Sequence, residues 1–210
     1  MATAHPPLTL IVAATAKNGI GKAGGLPWPM LKKEMAYFAR VTKRVPQSFS
    51  DAKEVTQNVV IMGRKTWDSI PAKLRPLKER TNIVITRKPD SLDISHPDVI
   101  VASSIESGIG KLQQGQASKA PGRLYIIGGA TIYDAAFKLP NRKHVLLTRV
   151  HKQYDCDTFF PVDLESDADW TKATSARLSE FVEEAVDDAD MEETVNGEVV
   201  EYKFQLYEQN

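Results

Sequence analysis

The chain has 210 residues, 42% of them hydrophobic, with 12 prolines, which is long enough for one large domain or two small ones around a sizeable core. Lys plus Arg and Asp plus Glu both count 27, so no net field draws the molecule to nucleic acid or an anionic membrane, and any anion site must be local. One cysteine, Cys156, excludes an internal disulfide and a cysteine-rich metal cluster and suits a reducing compartment.

The opening segment, MATAHPPLTLIVAATA, carries no basic leader region, and its apolar run is too short to span a bilayer. A cytoplasmic protein with a buried first strand over LTLIVAA (8–14) is expected. Gly19, Gly21 and Gly24 follow that strand in G-x-G-x-x-G spacing. A dinucleotide fingerprint of this kind needs its glycine turn to open a helix, with an acidic residue ending the next strand about 20 residues on. Neither condition holds: Pro27 and Pro29 force extended or turning backbone, and the next strand begins only near Asn58. The stretch 19–25 therefore reads as a mobile loop, after which Leu-Pro-Trp-Pro aims the Trp28 indole back toward the strand end.

From Pro29 the chain reads PMLKKEMAYFARVT, and Leu31, Glu34, Met35 and Phe38 fall at i, i+3, i+4 and i+7, one stripe of an amphipathic helix. Lys32, Lys33, Tyr37 and Arg40 take the other faces. A carboxylate on a buried stripe loses solvation, so Glu34 must be protonated, paired, or turned toward a cavity that receives a partner. Position alone leaves an internal ion pair and a functional acid equally open, because ion-pair networks also perturb carboxylates.

After a charged, proline-containing excursion at 43–57, which reads as surface, short apolar runs alternate with helical stretches. NVVIM (58–62), NIVIT (82–86), VIVA (99–102), RLYIIG (123–128) and HVLLTRV (144–150) are apolar on both faces, the mark of a covered central sheet. Three of the strand ends suit anions. Gly63, Arg64, Lys65 and Thr66 bring free N–H groups, two cations and a hydroxyl to a helix start. Thr86-Arg87 offers a hydroxyl and a guanidinium suited to a phosphomonoester. Gly128-Gly129 precedes a helix, where absent Cβ atoms let a ligand approach the backbone. Each alone is more commonly solvated surface or a plain turn, but three in one domain shift the balance toward an anionic ligand.

Ser103 and Glu106 read as a capping box ahead of Ile105, Ile109 and Leu112, and Ile132, Ala135, Ala136 and Leu139 give another helical stripe. At the C-terminus Val200, Tyr202, Phe204 and Leu206 alternate with Glu201, Lys203, Gln205 and Tyr207, an antiparallel edge strand with one wet face. SEFVEEAV (179–186) could pair with it across an acidic loop ending in the turn dipeptide Asn196-Gly197, and residues 183–193 read as solvated surface. These elements predict a single α/β domain over 1–210: a mainly parallel, twisted central sheet, helices on both faces, an antiparallel C-terminal edge hairpin, and surface insertions near 43–57 and 183–198.

The segments IVAATAKNGIGKAGGLPWPMLKKEMAYF, VIMGRKTWDSIPAKLRPLKERTNIVITR, YIIGGATIYDAAF, LLTRV, DCDTFFPVDL and EYKFQLYEQN, in this order, resemble the dihydrofolate reductase family, of the eukaryotic and fungal type. The resemblance spans nearly the whole chain. It implies that Glu34 grips the pterin ring through its 2-amino group and N3, with Thr148 supporting it through hydroxyl and water and Trp28 holding a water beside it. Ile11, Val12, Leu26, Met35, Phe38, Ile70 and Leu77 are implied as apolar walls around the pterin and benzoyl groups, each being otherwise ordinary core, with Ile127 and Tyr133 also at the substrate. Arg80 matches an arginine that clamps the glutamyl α-carboxylate. The implied cofactor is NADPH, its phosphates met by Gly63, Arg64, Lys65, Thr66, Thr86 and Arg87, with Arg64, Thr86 and Arg87 nearest the 2′-phosphate. Ala13, Ile20, Ile127, Gly128, Gly129, Ala130, Thr131, Ile132 and Tyr133 would surround the nicotinamide and pyrophosphate, with a cis Gly-Gly peptide.

The implied reaction is hydride transfer from C4 of NADPH to C6 of dihydrofolate with protonation at N5, by Glu34 directly or through a water. Folate, dihydrofolate and antifolate inhibitors are the implied ligands; no metal, membrane or nucleic-acid partner is expected, and the chain is expected to be a monomer. Met35, where many relatives carry an aromatic, and Gly25, where many carry Asp or Asn, are departures that bear on inhibitor affinity and loop behaviour. Two other readings compete: another pteridine or pyrimidine reductase on the same fold, such as the reductase of riboflavin synthesis, and a catalytically silent nucleotide-binding module. The first would not need Arg80 or the Leu-Pro-Trp segment, and the second would show a damaged pocket or a basic surface.

Overall fold

All of β1 (Leu8–Thr15) except Ala13 is buried, and a strand buried on both faces needs a cover on each. The structure, a computed structural model, describes residues 5–49, 56–92, 94 and 96–210. Beside β1 lie β6 (Ala120–Ile126) and β7 (Lys143–Val150), both parallel to it, with Leu10 opposite Ile126 on one and Val145 on the other. β3 (Thr56–Gly63), β4 (Thr81–Ile85) and β5 (Val99–Ala102) continue the parallel run beyond β6. On the other side β11 (Glu198–Gln209) pairs antiparallel with β7, and β10 (Met191–Val195) and β9 (Trp170–Lys172) pair antiparallel with opposite ends of β11. The nine-stranded sheet has the order β10-β11-β7-β1-β6-β3-β4-β5, with β9 branching from β11. A separate ribbon pairs β2 (Gly19–Gly21) with β8 (Thr158–Phe159).

Because side chains alternate across a sheet, the two faces have separate covers. Leu10, Val12, Ile61, Ile83 and Ile126 pack with α3 (Ile105–Gln113) and α4 (Ala130–Phe137) through Ile105, Ile109, Leu112, Tyr133 and Ala136. Ile11, Val60, Met62, Val84, Tyr125 and Leu146 pack with α1 (Lys32–Lys43), α2 (Arg64–Ser69) and α5 (Ser175–Val182) through Tyr37, Val41, Trp67, Leu178, Phe181 and Val182. Burying each such side chain stabilises by about 2 kcal/mol, largely offset by chain entropy. The single-domain α/β architecture with a mainly parallel central sheet is as the periodicity predicts.

The C-terminal hairpin exists, with a different partner. Residues 179–186 do not pair with β11. They overlap α5, whose Leu178, Phe181 and Val182 are buried at the helical spacing i, i+3, i+4, and whose start is capped by Thr174 Oγ1 accepting from the Arg177 N–H at 3.2 Å. The partner is β10, joined to β11 by Asn196 and Gly197 with φ of 53° and 81°, the two positive values that a primed two-residue hairpin turn needs. Residues 183–193 are therefore not all solvated surface. Glu184 holds Arg40 and Arg44 of the α1 end, and Glu193 is buried on β10. The wet face of β11 is also incomplete: Gln205 and Tyr207 are buried, and Tyr207 packs into the cluster that holds Phe160, Leu164 and Trp170.

Other expectations are corrected in detail. The cap of α3 is Ser104, which accepts from the Ser107 N–H at 3.1 Å, and not Ser103. The stretch 19–25 is tied down by β2, by a Lys22–Gly25 bridge, and by the Ala23 N–H donating to Asp157 at 2.8 Å. On α1 the buried line is rotated toward Tyr37, which stacks on Phe204 of β11 at 3.8 Å, and Met35 is left exposed. Of the 43–57 excursion, Lys43 belongs to α1 and β3 begins at Thr56, and residues 50–55 lie outside the described residues.

Candidate active site

Glu34 sits in the first turn of α1, only 9% exposed, and accepts a hydrogen bond from Thr148 Oγ1 on β7 at 3.1 Å. Thr148 lies opposite Ala13 on β1 and Phe204 on β11, so the carboxylate is anchored at the centre of the sheet. Burial pushes its pKa up to about 7, opposed by the Thr148 hydrogen bond and helped by the Glu193 carboxylate. No cation of the described residues acts on it, so the internal ion pair that position left open is not what Glu34 makes. A carboxyl group that titrates near neutrality in a dry site can hold a proton, or ionise against a cationic edge brought in by a ligand.

Around it, Trp28 is buried edge-on to Tyr154 at 6.0 Å, in an apolar cluster with Leu31, Val150, Val200 and Tyr202. Tyr133, from α4 in the opposite layer, donates to the Ile11 carbonyl at 2.7 Å, and burial, helped by the Glu34 charge, keeps its hydroxyl neutral.

Another buried charge is Arg80, just before β4 and 4% exposed. Its Nη1 donates to Thr42 Oγ1 at 2.9 Å and its Nε to the Lys78 carbonyl at 3.0 Å, but no carboxylate of the described residues lies within ion-pair distance. Desolvation lowers its pKa to about 10, with only a weak opposing pull from Glu79. A buried guanidinium without a counter-charge is costly, and a carboxylate arriving from outside would offset that cost. Thr42 is eight residues beyond Glu34 on α1, so an acid and a cation are tied to one helix about 12 Å apart along its axis, with Phe38 halfway between.

The parallel strands bring their C-terminal ends to a common edge. The Gly63 N–H at the end of β3 donates to the Gly128 carbonyl after β6 at 2.8 Å, so the turns into α2 and α4 touch. The Gly128-Gly129 peptide is cis, as expected, and Gly128 has φ of +105°. A Cβ there would meet the Tyr133 ring at 3.1 Å, one at Gly63 would meet Ile132 at 3.0 Å, and one at Gly129 would meet Thr66 Oγ1 at 3.5 Å. The result is a bare backbone edge flanked by Thr66, Ala130, Thr131 and Ile132. Of the nearby cations, Arg64 is held by Asp68 at 2.7 Å, whereas Lys65 and Arg87 are exposed with no ion pair among the described residues. Thr86, at the end of β4, accepts from the Lys88 N–H at 3.3 Å.

The sequence-predicted residues are thus partly gathered and partly divided. Ile11, Phe38, Ile70, Leu77 and Ile127 share the α1 layer with Glu34. Val12 and Ile20 pack into the opposite layer, and Ala13 packs against the Trp28 cluster. Leu26 and Met35 stand exposed at 52% and 41%. Three residues escape the sequence reading: Thr42, Glu193 and Tyr202. Glu193 had a signal, because a two-residue turn at Asn196-Gly197 makes residues 191–195 the pairing strand and turns Met191, Glu193 and Val195 to one face.

The pattern that defines the family described as dihydrofolate reductase matches residues 7–191. The dihydrofolate reductase of Pneumocystis carinii is 39% identical over 95% of this chain and 95% of its own length. That of Schizosaccharomyces pombe is 38% identical over 99% of this chain, which spans about half (48%) of that longer protein. The solved structure of Schistosoma mansoni dihydrofolate reductase superposes with a TM-score of 0.76 at 32% identity, covering 99% of this chain and 100% of that one. With its family pattern matched over residues 7–191 and relatives of this identity covering nearly the whole chain, the chain belongs to the dihydrofolate reductase family of enzymes.

Proposed function

We propose that this protein reduces 7,8-dihydrofolate to 5,6,7,8-tetrahydrofolate with NADPH, supplying reduced folate for thymidylate and purine synthesis as a cytoplasmic monomer. The observation that carries the reading is a pair of buried groups anchored to one helix: the acid Glu34 on α1, and the guanidinium of Arg80, which is held to α1 through Thr42 and has no carboxylate partner among the described residues. Their anchor points, Glu34 and Thr42, lie about 12 Å apart along the helix, which suits a ligand with an amidine-like N–C–N edge at one end and a carboxylate at the other, the chemistry of a pterin carrying a benzoyl-glutamate tail. Folate-like inhibitors would use the same two ends.

Glu34 holds the pterin 2-amino group and N3 through charge-assisted hydrogen bonds, and Thr148 fixes its carboxylate from behind. Ile11, Phe38, Ile70, Leu77 and Ile127 wall the rings and exclude water, with Leu26 and Met35 closing on them from the exposed side. Arg80 takes the glutamyl α-carboxylate bidentately, and Thr42 holds it in place.

The bare edge at Gly63, Gly128 and Gly129 lets a dinucleotide approach the backbone closely, and a Cβ at Gly63 or Gly128 would crowd Ile132 or the Tyr133 ring. Thr66, Ala130 and Thr131 would meet the pyrophosphate, while Arg64, Lys65, Thr86 and Arg87 would meet the remaining phosphate. NADPH, when bound there, supplies the hydride that adds to C6 of the pterin. The electron pair of the C6–N5 double bond moves to N5, which takes one proton, and a Glu34 that is half-protonated near neutrality keeps that proton within the site.

Following NADPH oxidation with dihydrofolate, and separately with the pyrimidine precursor of riboflavin, tests the reading. Turnover with dihydrofolate alone is expected. Turnover with the riboflavin precursor alone, or NADPH binding without oxidation in either mixture, would replace it.

A further inference from the structure

The N-terminal residue flanking α1, Leu31, makes no side-chain cap, although the helix carries the buried acid in its first turn. The cap comes from another part of the chain. Glu193 on β10 is itself 9% exposed and accepts from the Lys33 N–H at 3.0 and 3.1 Å through its two carboxylate oxygens, and from the Glu34 N–H at 3.3 Å. Tyr202 on β11 donates its hydroxyl to the same carboxylate at 2.7 Å. Burial alone would raise the Glu193 pKa, but the Tyr202 hydroxyl and the N–H groups of Lys33, Glu34 and Lys32 outweigh it and hold the carboxyl below the usual range. Glu193 is therefore ionised wherever Glu34 titrates.

We propose that Glu193, steadied by Tyr202, is a positioning residue for the active-site acid: it closes the N-terminus of α1 in place of the missing cap and supplies the fixed negative charge against which Glu34 takes up its proton. The inference rests on the reading of Glu34 as the pterin-binding acid. Free N–H groups at a helix start attract an anion, and here that anion is bonded to the backbone of the acid itself. Two consequences follow from one contact. The first turn of α1 is fixed, which fixes the Glu34 carboxylate against Thr148, and a like charge stands behind it, which disfavours its ionisation. The groups facing Glu34 from every packed element are Tyr37 on α1, Tyr133 on α4, Thr148 on β7, Glu193 on β10 and Tyr202 on β11. Burial keeps the three tyrosines neutral, so Glu193 is the one ionised group among the described residues that acts on it.

The test is the titration of Glu34 followed by the carbon-13 shift of its side-chain carboxyl in the ligand-free enzyme, alongside the pH profile of the hydride step. Glu193→Gln keeps an accepting oxygen for the helix but removes the charge, so the Glu34 midpoint should fall by about half a pH unit, with the pH profile following it. Tyr202→Phe keeps the charge and removes a hydrogen bond that disperses it, so the midpoint should not fall. Glu192→Gln, one residue away and exposed, makes the same change in net charge and should leave both readouts where they are. An unmoved midpoint in Glu193→Gln would overturn the proposal. So would equal downward shifts in Glu193→Gln and Tyr202→Phe, the mark of a merely loosened helix. The titration needs no substrate, so a wild-type enzyme that failed to reduce dihydrofolate would overturn the proposed reaction while the titration still decided the role of Glu193.

Discussion

Glu34 works against the stability of the fold that holds it. Its pKa rises from the ordinary carboxylate range when unfolded to about 7 when folded, so the folded protein binds the extra proton more tightly. The stability gained from that proton is complete below the unfolded pKa and is lost as pH rises through the folded value near 7. Above neutrality the buried charge costs on the order of 3 kcal/mol, less whatever the site recovers by admitting water. Glu34→Gln should therefore raise the melting temperature at pH above about 8, gain little at pH below about 5, and still lose most turnover at neutral pH, with partial recovery in acid where the pterin arrives protonated. A variant that lost stability across the whole range while keeping activity would make Glu34 a structural residue. Arg80 is the complementary case. Arg80→Leu should weaken dihydrofolate by roughly 2–5 kcal/mol and leave NADPH affinity within a factor of about two, because one ligand alone brings the carboxylate. Calorimetric titration of both ligands checks this, and equal weakening of the two would place Arg80 in the scaffold.

At the scale of elements, α3 separates two opposing effects of a methyl group. A Cβ at Gly108 would sit 2.7 Å from Ile83 Cγ2, a branch fixed close to the β4 backbone, so the helix or the strand must shift. Overpacking costs about 1–3 kcal/mol, against a helix-propensity gain of about 1 kcal/mol for Gly→Ala. Gly108→Ala should therefore lower the urea midpoint. Gly110→Ala, two residues on with nothing within 4 Å of its Cβ, should raise it by an amount worth about 0.5–1 kcal/mol. If both variants moved in the same direction, packing of α3 on β4 would not be the deciding term. The same elements show what the sequence could reveal. VIVA at 99–102 matches β5 end to end, and the five other parallel-sheet strands are displaced by at most a few residues, because an apolar run bounded by turn residues has one simple burial. The C-terminal pairing was hidden for the opposite reason. Met-Glu-Glu-Thr-Val at 191–195 is acidic, and its period-two pattern places a glutamate inward, where only the Tyr202 hydroxyl and the open N-terminus of α1 make burial tolerable. A partner from another part of the chain is invisible to local periodicity.

For the whole molecule the decisive quantity is a net charge of zero, with 27 residues of each sign. Long-range steering cannot distinguish one anionic ligand from another, so any salt dependence of binding must come from local clusters. Part of that locality was legible: the sequence marks Gly63 to Thr66, Thr86-Arg87 and Gly128-Gly129 as anion-suited strand ends, and the parallel topology brings the C-terminal ends of β3, β4 and β6 to one edge. Not legible was the i,i+4 pair in which Asp68 holds Arg64, because a surface cation reads the same whether free or paired. Arg87 is the better candidate for the 2′-phosphate, exposed and with no ion pair among the described residues. NADPH and NADH differ only by that phosphate. Charge-assisted bonds to it are roughly twice as strong as neutral ones and are screened at an exposed rim over about 8–10 Å at physiological salt. Raising ionic strength should therefore weaken NADPH far more than NADH, and Arg87→Ser should erode the preference about tenfold while removing most of its salt dependence. Measuring kcat/KM for both cofactors in wild type and variant at low and high salt decides the matter. A preference that survives Arg87→Ser unchanged would move the 2′-phosphate to Arg64, and the Asp68 pair would then have to open each time the cofactor binds.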